Sequence, residues 1–171
     1  MDADSKATLW RQFGAAIDML DNAVIACPGE VWGDGPPAQA FWYLVYHTLF
    51  WLDFYLSEGP EGFAPPAPFT LDEMDPAGIY PDRVYTPAEM RAYLEHGRRK
   101  CRGVISRMTS EWAAEPSGFE RLGLTQGELL LYSLRHVQHH VAQLHLILRQ
   151  RTGAAPRWVA KTALGLEDSQ P

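Results

Sequence analysis

TQGELLLYSLRHVQHHVAQLHLILRQR, residues 125–151, is the stretch whose reading decides the fold. Thr125 and Glu128 stand in the spacing of a capping box, so a helix is predicted to begin there. Gly153 supplies the stop just past the last periodic residue. Within those ends His136 and His140 lie four residues apart, one above the other on a single face. At roughly 100° per residue, Leu129, Tyr132, Ser133, Gln143 and Ile147 fall on or beside the same line. A second stripe of Leu130, Leu134, Val137, Val141 and Leu148 reads as core. Arg135, Gln138, His145 and Arg149 occupy the remaining arc and are expected to face water. The histidine pair therefore sits at the edge of the buried stripe, where a polar pocket can open.

Outward from this helix, three more helical segments are legible. Leu9, Phe13, Ile17, Leu20 and Val24 repeat at helical spacing over about 5–27, with Asp4 or Ser5 as expected N-cap and Pro28-Gly29 as the stop. Val31 and Trp32, in the short connection that follows, are expected to pack back on the core. The second segment, about 37–57, contains FWYLVYHTLFWL at 41–52, without a formal charge. It is too short for a membrane span and is apolar almost all round, so it must be covered on every side. Thr86, Pro87 and Glu89 give the clearest start in the chain, opening a third helix over about 87–112. Gly97 and Gly103 weaken that helix by about 1 kcal/mol each relative to Ala, for which close approach of a neighbouring backbone is one reason. Residues 59–85 are rich in Pro and Gly, with Phe63, Phe69, Ile79, Tyr80 and Tyr85 to lay on the helices; they read as a long ordered crossover.

Four amphipathic helices and no convincing strand predict an all-α four-helix bundle, one domain over 1–171, with 153–171 as a docked tail. Short links join the first helix to the second and the third to the fourth, so each pair is expected antiparallel. Only the 59–85 connection can travel the length of a helix, which makes the second and third parallel: up-down-down-up. Phe41, Trp42, Tyr46, Leu49, Phe50 and Leu56 spread round more than one stripe, and a homodimer through the second helix is expected to cover them, as the crossover also could.

A hydrophobic content of 46% and a net charge of −6 describe a globular domain with no basic surface for nucleic acid. Arg98, Arg99, Lys100 and Arg102 form the one basic run and read as a solvated helix face. Cys27 and Cys101 are too few for a disulfide framework or a thiolate zinc site and read as small buried residues. The acidic MDADSKATLW start has no apolar run, so a cytoplasmic location is expected.

The chemistry rests on histidine. A pair at i and i+4 can present two imidazoles to one cation, and His47, mid-helix in the second segment, is the natural third. The alternative is a pair of histidines hydrogen-bonded to carbonyls or water. His96, His139 and His145 read as surface residues. Tyr43, Trp51, Phe54, Tyr132 and Gln143 fall within about 40° of the histidine line on their helices and are expected to line a cavity beside the site. Asp53 is a polar residue near it for which a structural role is expected.

The segment HVQHHVAQLHLILRQRTG resembles the His-x-x-x-His-x-x-Gln signature, followed by Leu-Arg and Gly, of the DinB-like metalloprotein superfamily. FWYLVYHTLFWLDFYLS resembles that family's second helix, which contributes a lone histidine. The resemblance implies a four-helix bundle holding a divalent metal, nickel or zinc, through His47, His136 and His140, with Gln143 beside the site. It further implies two functions of different kinds. One is a metal-dependent transferase that uses a low-molecular-weight thiol or activated water on a small electrophile. The other is a non-catalytic metal- or ligand-binding dimer. No basic pocket for a thiol's carboxylates is evident: Arg135 and Arg149 lie on the wrong arc, and only Arg83, in the crossover, is placed to reach.

Overall fold

The computed structural model describes residues 1–167, and the last four positions of the expected tail lie outside them. Among the described residues the regular structure is helical: α1 (Ala3–Ala26), α2 (Gly29–Trp32), α3 (Phe41–Tyr55), α4 (Pro87–Arg107), α5 (Ser110–Ala114) and α6 (Gln126–Thr152). Among the described residues no helix is long and apolar enough to cross a membrane. The helix starts follow the side chains that can accept from free N–H groups. Thr86 with Glu89, and Thr125 with Glu128, form complete capping boxes. The α1 N-cap is Asp2 rather than Asp4 or Ser5, since the Asp2 carboxylate accepts from the Ser5 backbone N–H. Gly153 closes α6 at φ 79°, a left-handed conformation that glycine adopts without a Cβ penalty.

The third predicted helix is shorter than expected. Met108 is extended and Thr109 caps a new turn through the Trp112 N–H, so α4 ends at Arg107 and α5 follows as a separate piece. Competition from a threonine hydroxyl that can start a helix afresh explains the break.

Of the four long helices, α6 packs on α1 and α3, and α4 packs on the same two. Specific contacts mark the register of each pair. Asp21 pairs with Arg91 and Asp18 with Arg98, while Lys6 Nζ donates to the Ser106 carbonyl. Trp42 lies edge-on to Tyr85 at 5.9 Å, and Ser57 accepts from Lys100. His47 faces His140, and Tyr55 faces Tyr132. Met19 lies beside His145.

Of the basic run Arg99 is exposed as expected, but the other three are engaged within the fold. Arg98 is 5% exposed and donates to Asp18 and Glu95. Lys100 reaches the buried Asp53 carboxylate at 2.6 Å, and Arg102 donates to the Leu166 carbonyl. Asp53 thus belongs to a network with Tyr93, His96 and Lys100 on the α4 side of α3. His96 is half-exposed and tied into that network, not a free surface residue. Gly97 accommodates the Leu52 side chain, 3.1 Å from where a Cβ would stand, and Gly103 faces only the flexible Arg107. Neither meets a neighbouring backbone.

The crossover covers α3. Phe69 stacks on Tyr93 at 4.3 Å and meets Tyr85 edge-on at 4.8 Å; the Tyr46 hydroxyl donates to the Thr70 carbonyl. Phe41, Trp42, Tyr46, Leu49, Phe50 and Leu56 are all buried within the one chain. Tyr85 packs on Trp42 and Tyr46, Phe69 on Tyr46 and Phe63 on Phe50, while Trp32 packs on Phe41, so the chain itself supplies cover for these side chains. The tail docks on α1 through Thr162, whose N–H donates to the Arg11 carbonyl, and through the Leu164 carbonyl, which accepts from Trp10. Gly14 makes this possible: a Cβ there would stand 2.5 Å from Thr162 Cγ2. Trp158, earlier in the same tail, is 70% exposed and takes no part in this docking.

Phe69→Ala should remove the centre of the crossover's packing and lower stability by about 3 kcal/mol, the lower end of the range for a buried phenylalanine. Urea unfolding checks this value.

Candidate metal centre

α3 and α6 are placed by their apolar faces, and the histidines follow from that placement. Val137, Val141, Leu144 and Leu148 are buried on α6, and Phe50, Leu52 and Phe54 on α3. His136 and His140 stand beside the α6 stripe, with ring centroids 4.5 Å apart. His47 meets them from α3, 5.3 Å from His136 and 4.8 Å from His140. One ring nitrogen from each histidine lies within 4.8 Å of the other two, and all three side chains are half-buried. The structure brings together the three residues that the spacing had singled out.

The other ring nitrogens decide which atoms face inward. His140 Nδ1 is 2.7 Å from Gln143 Oε1, an acceptor, so Nδ1 carries the proton and Nε2 presents a lone pair. His47 Nδ1 is 2.7 Å from Glu73 Oε2, which leaves its Nε2 in the same condition. His140 Nε2 and His136 Nε2 are 3.1 Å apart. His136 Nδ1 is buried without a hydrogen-bond partner.

This donor set fits a divalent cation. Two nitrogens each about 2.1 Å from one ion stand about 3–3.4 Å apart, which is the separation of the two α6 imidazoles. Ligating histidines must be neutral, and burial favours that form for the two on α6. Burial, followed by the charges of His140 and His47, pushes His136 down to about 3. Burial lowers His140 as well. Neutral imidazoles suit zinc, nickel, copper and iron alike. Thiolates offer no alternative: burial pushes Cys27 up to about 12 and raises Cys101 further, so both are thiols at neutral pH.

Glu73 was not anticipated. It sits on a single 3-10 turn, Asp72–Met74, within the crossover, and its side chain is 4% exposed. Oε2 accepts from His47 Nδ1 and, at 2.9 Å, from Trp51 Nε1; Oε1 is buried without a partner. Burial alone would raise its pKa. Hydrogen bonding from His47 and from the Tyr43 phenol, then the charge of His47 and the Trp51 indole, outweigh burial and hold it below the usual value. Nothing in one sequence separates Glu73 from Asp72 or Asp75; the one signal was that the crossover carries aromatics enough to pack on α3.

Tyr43 lies beside His47, its ring 6.4 Å away, and is held against Tyr80 of the crossover at 4.9 Å. Trp51 and Phe54 line an open groove of about 900 Å³, together with Tyr55, Met74 and Phe119. Tyr132 packs on Tyr55 outside that groove's lining. Gln143 is exposed and bonded to His140. None of the three histidines lines the groove, although Trp51 is 6.2 Å from His47. Of the outlying histidines, His139 is exposed as expected. His145 is 8% exposed and lies 3.4 Å from the Met19 carbonyl. The expectation that it faces water is corrected by α1, which packs on that side of α6.

A family model described as the DinB superfamily matches residues 9–144. Comparisons with curated proteins and with solved structures find no match. In the metal-free protein His136, with its pKa lowered, stays neutral when folded, while the unfolded chain takes up a proton below about 6.5. Stability should therefore fall as pH drops from about 6.5 towards 3. Urea unfolding of metal-free protein across that range should show a shallower decline for His136→Phe, which has no proton to bind. The match reaches into all four long helices and includes His47, His136 and His140, and the chain belongs to the DinB superfamily.

Proposed function

We propose that the chain binds a divalent metal, nickel or zinc, through His47, His136 and His140, and acts as a metal-dependent transferase on a small electrophile. The attacking group in this reading is a low-molecular-weight thiol or an activated water. The observation that carries it is the convergence of three imidazole nitrogens within 4.8 Å, two of them 3.1 Å apart. Three protein ligands leave coordination positions for a reactant. A divalent ion held there would lower the pKa of the thiol or water bound to it, giving a nucleophile at neutral pH. The residues around it supply position and dryness. Gln143 fixes the His140 ring, Tyr43 and Tyr80 cover one side of His47, and Trp51 and Tyr55 carry an apolar groove up to the other. Arg83 is engaged by Glu89 in a two-point ion pair, which argues against its serving a thiol's carboxylates.

A second reading, a non-catalytic metal- or ligand-binding dimer, is favoured in its non-catalytic part by one observation: the open groove stops at Trp51 and Tyr55 and is not lined by the histidines. Turnover separates the two readings.

The architecture proposed with this function is a single-domain four-helix bundle of up-down-down-up topology. Its support is the register of the contacts. Trp42–Tyr85 and Ser57–Lys100 advance together along α3 and α4, as in a parallel pair. Asp21–Arg91 and Lys6–Ser106 advance oppositely along α1 and α4, and His47–His140 and Tyr55–Tyr132 do so along α3 and α6.

His140→Ala should weaken zinc or nickel binding at least 100-fold in calorimetry and leave the helical circular dichroism intact, since packed helices do not depend on the ion. His145→Ala should keep wild-type metal affinity and lose about 1–2 kcal/mol of stability, because a buried side chain and its contact to α1 are removed. Equal metal affinity in the two variants would rule out the trio. Wild-type metal-loaded protein should consume a small electrophile in the presence of a thiol, and the His140→Ala protein should not.

A further inference from the structure

We propose that Glu73 is the positioning residue of this centre, and that through it the docking of the crossover and the loading of the metal are coupled. The inference rests on the reading of the histidines as metal ligands.

One carboxylate oxygen does two things at once. Glu73 Oε2 accepts from His47 Nδ1 at 2.7 Å and from Trp51 Nε1 at 2.9 Å, and these two residues are one turn apart on α3. The first bond fixes His47 as the Nδ1–H tautomer and turns its Nε2 lone pair towards His136 and His140. The second fixes the indole that walls the groove, in which Met74, the next residue along the crossover, also takes part. A metal ligand and a groove wall thus hang on the same atom.

Stability does not account for a carboxylate at this place. Its side chain is 4% exposed and Oε1 is buried with no partner. An unpartnered buried polar atom costs about 1–3 kcal/mol, and more when charged. An apolar side chain would cover α3 at lower cost, as Phe69 does a few residues earlier. What an apolar side chain cannot do is accept a proton from His47 Nδ1. A carboxylate at this place does what an apolar side chain cannot: it accepts from the imidazole N–H and so orients the ring.

A consequence follows by linkage. Glu73 belongs to residues 59–85, and its carboxylate reaches His47 only when that segment is docked. Metal binding favours the oriented His47, so it favours the docked crossover, and docking favours metal binding by the same factor. Binding confined to the docked form withdraws the undocked one by mass action.

The test uses the full chain and zinc or nickel alone as the probe. In calorimetry Glu73→Gln should bind the metal 10–100-fold more weakly, while Trp51→Phe, which removes only the indole donor, should stay within about threefold of wild type. Metal should slow backbone amide exchange across 59–85 in the wild type and leave it unchanged in Glu73→Gln. Nitrogen NMR of the metal-free wild type should show His47 as the Nδ1–H tautomer, and this measurement needs no variant to fold. Wild-type metal affinity in Glu73→Gln, or the Nε2–H tautomer in the wild type, would overturn the proposal. A role confined to stability would instead lower the melting temperature of the metal-free variant and leave its metal affinity unchanged. If the wild type bound neither metal, the reading of the histidines would fail, and the tautomer would still decide the role of Glu73.

Discussion

α3 has no face that water would accept, and its burial sets the arrangement of everything around it. Phe41, Trp42, Val45, Tyr46, Leu49, Phe50 and Leu52 are each at most 4% exposed, on an element only four turns long. Two packed helices, α4 and α6, cover two sides of such a cylinder. The remaining side needs apolar cover of another kind, and the long crossover supplies it with Phe63, Phe69 and Tyr85. Full burial of one such side chain is worth about 1.5–3 kcal/mol, so cover from within the chain is strongly favoured over exposure. A segment that would otherwise be solvated loop is thereby held against the very helix that bears His47.

That constraint also governs the electrostatics. Residues placed inside this cover must be neutral or paired. Asp53 meets the demand with Lys100, Tyr93 and His96, and Glu73 meets half of it with His47 and Trp51. The α6 histidines meet it by remaining unprotonated, the state that leaves nitrogen lone pairs free. Apolar cover thus produces the donor character of the site as a by-product of burial. The same cover keeps both cysteines as thiols at neutral pH.

What was legible in the sequence was local. The capping boxes at Thr86 and Thr125, the stop at Gly153 and the i, i+4 histidines depend on neighbours within one turn, and the structure has each of them. His47 was legible because a histidine in an uncharged apolar run needs a partner. The misreadings share a different cause. His145 stands opposite the histidine line on α6, but a helix packed on both α1 and α3 has two buried faces, and one wheel cannot say which arc is left for water. Arg98 and Lys100 look solvated until Asp18 and Asp53 approach from other helices. Gly14 looks like an ordinary weak point in α1 until Thr162 arrives from more than a hundred residues away. Glu73 needs two such facts together, the docking of the crossover and the rotation of α3.

The position of Trp51 shows how these layers join. Its indole has an apolar body and one polar tip, which suits a boundary between core and site. The body stacks on Tyr55 at 5.4 Å and lines the groove, while the tip donates to Glu73. Tyr55 continues the boundary to Tyr132 and comes within 6.5 Å of His136 on α6. The groove and the histidines are therefore separated by one layer of aromatic rings anchored at both ends, to the crossover through Glu73 and to α6 through Tyr132. Rings in such a layer can turn only if their anchors release. Trp51 therefore joins the wall of the groove to the carboxylate that orients His47.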